Sequence, residues 1–223
     1  MELREQQWRD RLIGPQSRRL PKMFPKFSSS DAWLRQQEVL DNDLQRMPRM
    51  DHGNVYRIVM RHAATAPSCG YVQGNLYILY LIGLVFHDER SVFWAYARLT
   101  LAQSRYGPNT DYGRLMIPDW VLPTEEEVDR PLWDLMIRLR WLFILFGQTF
   151  PDPAHLCAVV DYALRGEDHM YSACAALIRH LLPQCTHNSP MERMADLFRM
   201  QIKDQSGTAL IIGLASQILR TKS

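Results

Sequence analysis

The sequence predicts an all-α protein, because helical periodicity appears almost everywhere and strand-type alternation almost nowhere. In five stretches the apolar residues recur mainly at spacings of three and four, which places them on one face of a helix. The five stretches are Val55, Ile58, Val59, Ala63 and Ala66; Leu156, Val159, Val160 and Ala163; Ala173, Ala176, Leu177 and Leu181; Met194, Leu197, Phe198 and Ile202; and Leu210, Ile211, Leu214, Ala215 and Ile218.

Helix start signals agree with this periodicity. Residues 189–192 read Ser-Pro-Met-Glu, which predicts an N-cap serine, a proline in the first helical position and a capping-box glutamate. Thr124 with Glu127 offers a second capping box. Pro131 follows soon afterwards, so it must end or restart that helix.

The helices are interrupted at four predicted loops, at residues 14–30, 106–112, 117–124 and 184–189. Glycine and proline near residues 106–124 make this stretch the weakest join in the chain. We therefore predict one domain over residues 1–223, made of two helical subdomains at about 1–105 and 106–223.

Composition narrows the class of protein. The 223 residues are 47% hydrophobic and 22% charged, as in an ordinary globular protein, and the net charge of +2 gives no reason to expect a nucleic-acid partner. The four cysteines lie far apart without a CxxC pair, so neither a zinc site nor a disulfide framework is predicted.

Membrane insertion is not predicted either. The longest apolar run covers residues 76–86, well short of the roughly 20 residues that span a bilayer. The charged N-terminus lacks the apolar stretch of a secretory signal. The expected location is cytoplasmic, with at most peripheral contact with endomembranes.

Three short motifs follow one another in a distinctive order. Residues 4–8 read Arg-Glu-Gln-Gln-Trp, residues 40–46 read Leu-Asp-Asn-Asp-Leu-Gln-Arg, and residues 70–74 read Gly-Tyr-Val-Gln-Gly. Together they resemble the RxxxW, IxxDxxR and YxQ signatures of the TBC domain family, whose members activate Rab GTPases.

The resemblance continues to about residue 180. Residues 91–96, Ser-Val-Phe-Trp-Ala-Tyr, resemble the family's Phe-Trp helix. Residues 141–146 and 151–162 resemble a later helix pair of the family. The chain departs from the family pattern at Asn75 and Leu76, which follow Gly74, and at Val160, where the family has tryptophan before an aspartate.

The resemblance implies that Arg46 is an arginine finger and that Gln73 is a second finger, which replaces the GTPase's own glutamine. The partner would be a GTP-bound Rab-type GTPase with its Mg²⁺, and the process would be vesicle trafficking. The chain itself would hold no cofactor and would be an activator rather than a stand-alone enzyme. The implied supporting residues are Asp43, Tyr71, Arg4, Trp8, Gly70 and Gly74.

Each supporting residue has an expected task. Asp43 precedes Arg46 by three positions, so on a helix the two share a face and Asp43 can orient the arginine. By the resemblance, Tyr71 and Trp8 pack beneath the finger loops and Arg4 pairs with an acid. The two glycines, at positions 70 and 74, permit a close backbone approach to the partner.

The two finger side chains suit the chemistry of GTP hydrolysis. Cleavage of the γ-phosphate spreads negative charge over the phosphoryl oxygens and needs a water held in line. The guanidinium of Arg46 is permanently charged and offers several donors in a fixed fork. The carboxamide of Gln73 carries a donor and an acceptor, so it can grip a water and a phosphate oxygen together.

Two alternatives remain open at the level of sequence. The first is a helical interaction module that binds a small GTPase or a scaffold without catalysis. The second is an HD-type metal phosphohydrolase, in which the His87-Asp88 pair would bind metal with His52, His62 and Asp161. A histidine at one helix end and an N-cap at the next explain His87 and Asp88 without a metal.

Overall fold

The computed structural model describes residues 2–13, 31–47, 52–65, 71, 73–105, 117–123, 129–142, 144–187 and 189–222. Helices account for most of these residues, and none of these residues lies in a β-strand. The predicted all-α class is confirmed. Over the same residues, no helix combines the length and the apolar character that crossing a bilayer requires.

The chain divides into two compact units, residues 1–114 and 115–223. In the first unit, α5 packs against α3, against α4 and against the short π-helical segment that continues α1, while α2 packs against α3. Its helices are α1 (Glu2–Trp8), the π-helical segment (Arg9–Ile13), α2 (Asp31–Leu44), α3 (His52–Thr65), α4 (Asn75–Gly83) and α5 (Glu89–Arg105).

In the second unit, α8 is the central helix and packs against both α7 and α10, which also contact each other. Its helices are α6 (Arg130–Ile137) with a π-helical continuation (Arg138–Leu142), α7 (Pro153–Ala163), α8 (Glu167–Leu181), α9 (Pro190–Leu197) and α10 (Gln205–Lys222). Short 3₁₀ turns cover Asp119–Val121 and Leu182–Gln184.

Helix α4 contributes most of its residues to the core of the first unit. Six of its nine residues are buried, as expected for a helix that is apolar almost all round. Three residues of the predicted stripe on α3 are buried as expected, with Val55, Ile58 and Val59 each at most 4% exposed. The side chain of Ala63 and the whole of Ala66 lie outside what the structure describes.

The predicted stripes on α7 and α8 are confirmed in the second unit. Every residue predicted for these two faces is buried, and α8 is buried continuously from Tyr171 to Ile178. Burial of whole apolar faces is the main source of helix stability in a folded protein, so α7 and α8 hold this unit together.

Two predicted stripes need correction. Helix α9 ends at Leu197, and Ile202 lies beyond it in a segment without regular secondary structure, where its amide donates to the Thr149 carbonyl at 2.8 Å. Ile202 is therefore buried by tertiary packing and not as part of a helix face. On α10 the predicted Leu210 is 52% exposed, and the buried face is carried by Thr208, Ile211, Ala215 and Ile218.

The expected helix at residues 141–146 is also wrong in its second half. The helical segment ends at Leu142, and residues 144–149 form turns. Leu145 and Phe146 have positive φ angles of 47° and 62°. This conformation is costly for large side chains. Both side chains are nonetheless buried, so packing in the core outweighs the cost.

The helix start signals have mixed outcomes. Helix α9 begins with Ser189 as N-cap and Pro190 in the first turn, as predicted, but without a side-chain capping hydrogen bond. Helix α6 begins at Arg130, with Asp129 as its N-cap and Pro131 in its first turn. The predicted box at residues 124 and 127 lies outside the described residues.

Only two of the four predicted loops overlap the residues that the structure describes. The stretch 117–124 contains the 3₁₀ turn Asp119–Val121, and residues 185–187 form a loop as predicted. The loops at 14–30 and 106–112 lie outside the described residues.

Candidate functional site

Arg46 lies in the turn that follows α2. The helix ends at Leu44, and the amide of Arg46 donates to the Asp43 carbonyl at 3.0 Å. This bond spans three residues and tightens the last turn, which is a common way for a helix to end. Asp43 points into the protein, whereas Arg46 is exposed.

Gln73 lies in the turn that precedes α4 and is likewise exposed. The next residue, Gly74, is the N-cap of α4 and has a φ of 93°. A side chain at that position would be strained, because only glycine enters the left-handed region without cost. The glycine therefore allows the chain to turn sharply into α4 directly after Gln73.

The carboxylate of Asp43 joins these two turns. Its Oδ2 atom accepts a hydrogen bond from the Tyr71 hydroxyl at 2.6 Å and a second from the Gly74 amide at 2.8 Å. Asp43 is only 7% exposed. Hydrogen bonds to a carboxylate are about twice as strong as those between neutral groups, and they compensate its burial.

This arrangement brings the two predicted finger residues together. Arg46 is one tight turn from Asp43, and Gln73 is one residue from Gly74, to which Asp43 is bonded. The turn from Arg46 to Asp43, the Asp43 side chain, its hydrogen bond to Gly74 and the step back to Gln73 together span about 15 Å. The α-carbons of Arg46 and Gln73 therefore lie no farther apart than this. Both side chains are exposed. Their role as fingers stays a prediction.

Helix α2 ends at Leu44, so Asp43 and Arg46 do not share a helix face as the sequence suggested. The two hydrogen bonds of the Asp43 carboxylate described above go to the opposite turn. Tyr71 is 8% exposed, and burial together with the neighbouring Asp43 raises the pKa of its hydroxyl. The phenol therefore stays protonated and remains a donor to Asp43. No sequence signal could have shown this bond, because it depends on how α2 and α4 approach each other.

The other predicted residues occupy different positions. Trp8 is fully buried at the end of α1, as expected of a packing residue, and Arg4 is half-buried on the same helix. Gly70 lies outside the described residues. Asn75 and Leu76, where the chain departs from the family pattern, are 4% and 0% exposed. Their side chains therefore act on the packing of α4 and are not available to a docked partner.

Asp88 caps α5 and is held by Arg9, a contact that sequence reasoning missed. The Asp88 carboxylate accepts the Ser91 amide at 2.8 Å, and Arg9 donates to the Ser91 hydroxyl at 2.8 Å. Burial opposes ionisation, but the bonds to Ser91 and the Arg9 guanidinium hold the pKa of Asp88 below its usual value. The capping explanation is confirmed for Asp88, whereas His87 lies four residues beyond the end of α4 and not at the C-terminus of that helix.

His62 has a structural partner in the core of the first unit. Its Nε2 atom lies 2.7 Å from the Thr100 hydroxyl, and burial lowers its pKa to about 4. Among the described residues, no three His, Cys, Asp or Glu side chains form a group suited to a metal ion. The side chain of His52 lies outside the described residues.

Comparisons of the chain with protein-family models, with curated proteins and with solved structures found no match.

Proposed function

We propose that this chain is a GTPase-activating protein that accelerates GTP hydrolysis by a Rab-type small GTPase. The observation that supports it best is the double hydrogen bond to Asp43, which joins the turns of Arg46 and Gln73. A catalytic pair must be held in place before the partner arrives, because ordering it on binding would cost free energy.

Arg46 supplies the positive charge in this proposal. Its exposed side chain enters the partner's nucleotide site and stabilises the charge that develops on the transferred phosphoryl group. Because the backbone of Arg46 is fixed by its bond to the Asp43 carbonyl, only the side chain must be ordered on docking.

Gln73 positions the attacking water. Its carboxamide takes the place of the GTPase's own glutamine and holds the water in line with the γ-phosphate. The rigid Gly74 amide, bonded to Asp43, anchors the turn from which Gln73 projects. GTP and Mg²⁺ belong to the partner, so the chain acts as an activator that completes another protein's active site.

The proposed setting is vesicle trafficking, with the chain in the cytoplasm or peripherally bound at endomembranes where Rab-type GTPases act. A broad panel of GTP-loaded Rabs, screened for phosphate release with the purified protein, tests the proposal. Stimulation of at least one Rab is expected.

The decisive control is Arg46→Ala, which should lower the stimulated rate by about 10³-fold or more, the typical contribution of an arginine finger. Arg98→Ala removes an equally exposed arginine from α5 and should leave the rate unchanged. If the protein binds a GTPase but stimulates none in the panel, the interaction-module alternative replaces this proposal.

A further inference from the structure

A cavity of about 530 Å³ opens in the first unit, between α3, the C-terminal end of α4 and the start of α5. Its size lies in the range of ligand pockets, about 300–1,000 Å³. The wall is mixed: its apolar part includes Val55, Ile58, Leu79, Phe86 and Val92, and its polar part includes Asn54, His87 and Glu89. None of these residues belongs to the site at Arg46 and Gln73.

One accessible face of α4 connects that site to the cavity. Tyr77, Tyr80 and the C-cap residue Leu84 are half-buried and follow one another at spacings of three and four, while most of the helix is buried. Gln73 lies in the turn that precedes this face. Residues at these spacings share one helix face. Since a helix rises 1.5 Å per residue, the face leads from Gln73 to the cavity over about 15 Å.

An exposed arginine lies beside the cavity, next to a carboxylate that it shares with a second arginine. Glu89 lines the cavity and pairs with Arg61, and the Arg57 Nε atom lies 3.6 Å from the same carboxylate. Two guanidinium groups thus face one carboxylate. Arg57 is 53% exposed and also hydrogen bonds Asn54, another cavity residue. The exposed guanidinium of Arg57 is therefore within reach of a carboxylate on a partner.

We infer that the α4 face and this cavity form the docking surface for the GTPase. The cavity receives an apolar side chain of the partner, and a neighbouring acidic residue of the partner pairs with Arg57. This inference rests on the proposed function. A typical protein interface covers about 800 Å² on each partner, which corresponds to a patch about 30 Å across. Because the cavity lies about 15 Å from Gln73, a GTPase that contacts Gln73 also reaches the cavity.

Gly83→Leu fills the mouth of the cavity without disturbing the fold. Gly83 is exposed, lines the cavity and ends α4, and a β-carbon there would meet no atom within 4 Å. Gly213→Leu on α10 is the matched control, because Gly213 is also exposed and equally open. Thermal unfolding of both variants should show intact folds.

The measurement is stimulated GTP hydrolysis at increasing concentrations of the GTPase that the protein activates. Gly83→Leu should raise KM about tenfold with kcat unchanged, since it removes binding shared by the ground and transition states. Gly213→Leu should match the wild type. Arg57→Glu should lower kcat/KM about tenfold and reduce its salt dependence, whereas Arg98→Glu should not.

The outcomes separate the two proposals. If the wild type activates a GTPase and Gly83→Leu keeps the KM of Gly213→Leu, the docking surface is wrong and the proposed function stands. A fall in kcat without a change in KM also contradicts docking. If the wild type activates no GTPase, the proposed function fails and this inference falls with it.

Discussion

At the scale of single residues, Asp43 determines how the candidate site is built. One buried oxygen holds the Tyr71 hydroxyl and the Gly74 amide, while the backbone of the same residue holds Arg46. Two turns that are distant in the sequence thus depend on one side chain. A change at position 43 should therefore affect both stability and activity.

Asp43→Asn tests this dependence. The amide has the same size but lacks the charge, so both hydrogen bonds weaken, and we expect a loss of about 1–3 kcal/mol in the free energy of unfolding. Stimulated kcat should fall about tenfold or more, because the two turns are no longer fixed. Denaturant unfolding and phosphate release measure the two effects.

Asp41→Asn is the matched control for that substitution, since Asp41 lies one half-turn earlier on α2. It should change neither quantity appreciably. Equal effects of the two substitutions would show that stability and stimulated kcat depend on the negative charge of α2 in general, and not on the hydrogen bonds that join the two turns.

Gln73→Ala separates chemistry from folding. Because Gln73 is exposed, the free energy of unfolding should change by less than about 0.5 kcal/mol. Stimulated hydrolysis should nevertheless fall about 10²-fold, the usual cost of removing a group that acts only in the transition state. Gln45→Ala, at an exposed neighbour of Arg46, serves as control, and a similar loss there would argue against a specific role of Gln73.

At the scale of elements, the start of α4 depends on one backbone conformation. Gly74 has a φ of 93°, and its amide must face Asp43. Gly74→Ala should therefore destabilise the protein by about 1 kcal/mol or more, since alanine is strained at positive φ. Thermal unfolding would show this as a lower Tm.

The same substitution at Gly213 should have the opposite sign. Gly213 lies within α10 in open space, so alanine should stabilise that helix by about 0.5–1 kcal/mol. If both substitutions lower Tm equally, the left-handed conformation of Gly74 is not what makes glycine necessary there.

At the scale of the whole molecule, buried His62 makes stability depend on pH. Its pKa is about 4 in the folded chain, against about 6.5 when exposed in the unfolded chain. Between these values the unfolded chain binds more protons, so the free energy of unfolding falls as the pH drops from about 6.5 to 4. The stabilisation is fully present above 6.5, and its loss amounts to about 3 kcal/mol.

His62→Gln removes this titration but keeps a polar group beside Thr100. The difference in unfolding free energy between wild type and variant, measured from pH 7.5 to 4, should shrink as the pH falls. Carboxylates titrate in both proteins and cancel from the difference. A constant difference over this range would show that His62 does not titrate as its burial indicates.

Local sequence patterns predicted the parts of the fold that depend on local physics. The faces of α7 and α8, and the described part of the α3 face, are buried as predicted because an apolar stripe both defines a helix and stabilises it. The end of α9 and the turn at Leu145 and Phe146 were not predictable. Both depend on remote contacts, such as the Ile202 amide bonded to the Thr149 carbonyl.

The candidate site, like the fold, was predictable from the sequence only in part. The order of the motifs singled out Arg46 and Gln73, and the structure places both on exposed turns. The bond between Asp43 and Gly74 is a tertiary contact that no spacing reveals. The cavity beside α4 is likewise formed by three helices, and its lining residues have no common motif.

The Gly74 amide offers a spectroscopic probe of the joined turns. A proton donated to a carboxylate at 2.8 Å exchanges slowly with solvent and gives a nuclear magnetic resonance signal in the sparsely populated glycine region. Its exchange rate reports whether the turns stay together in the isolated protein. Comparing that rate before and after a GTPase is added would reveal whether the arrangement is preformed or tightened by the encounter.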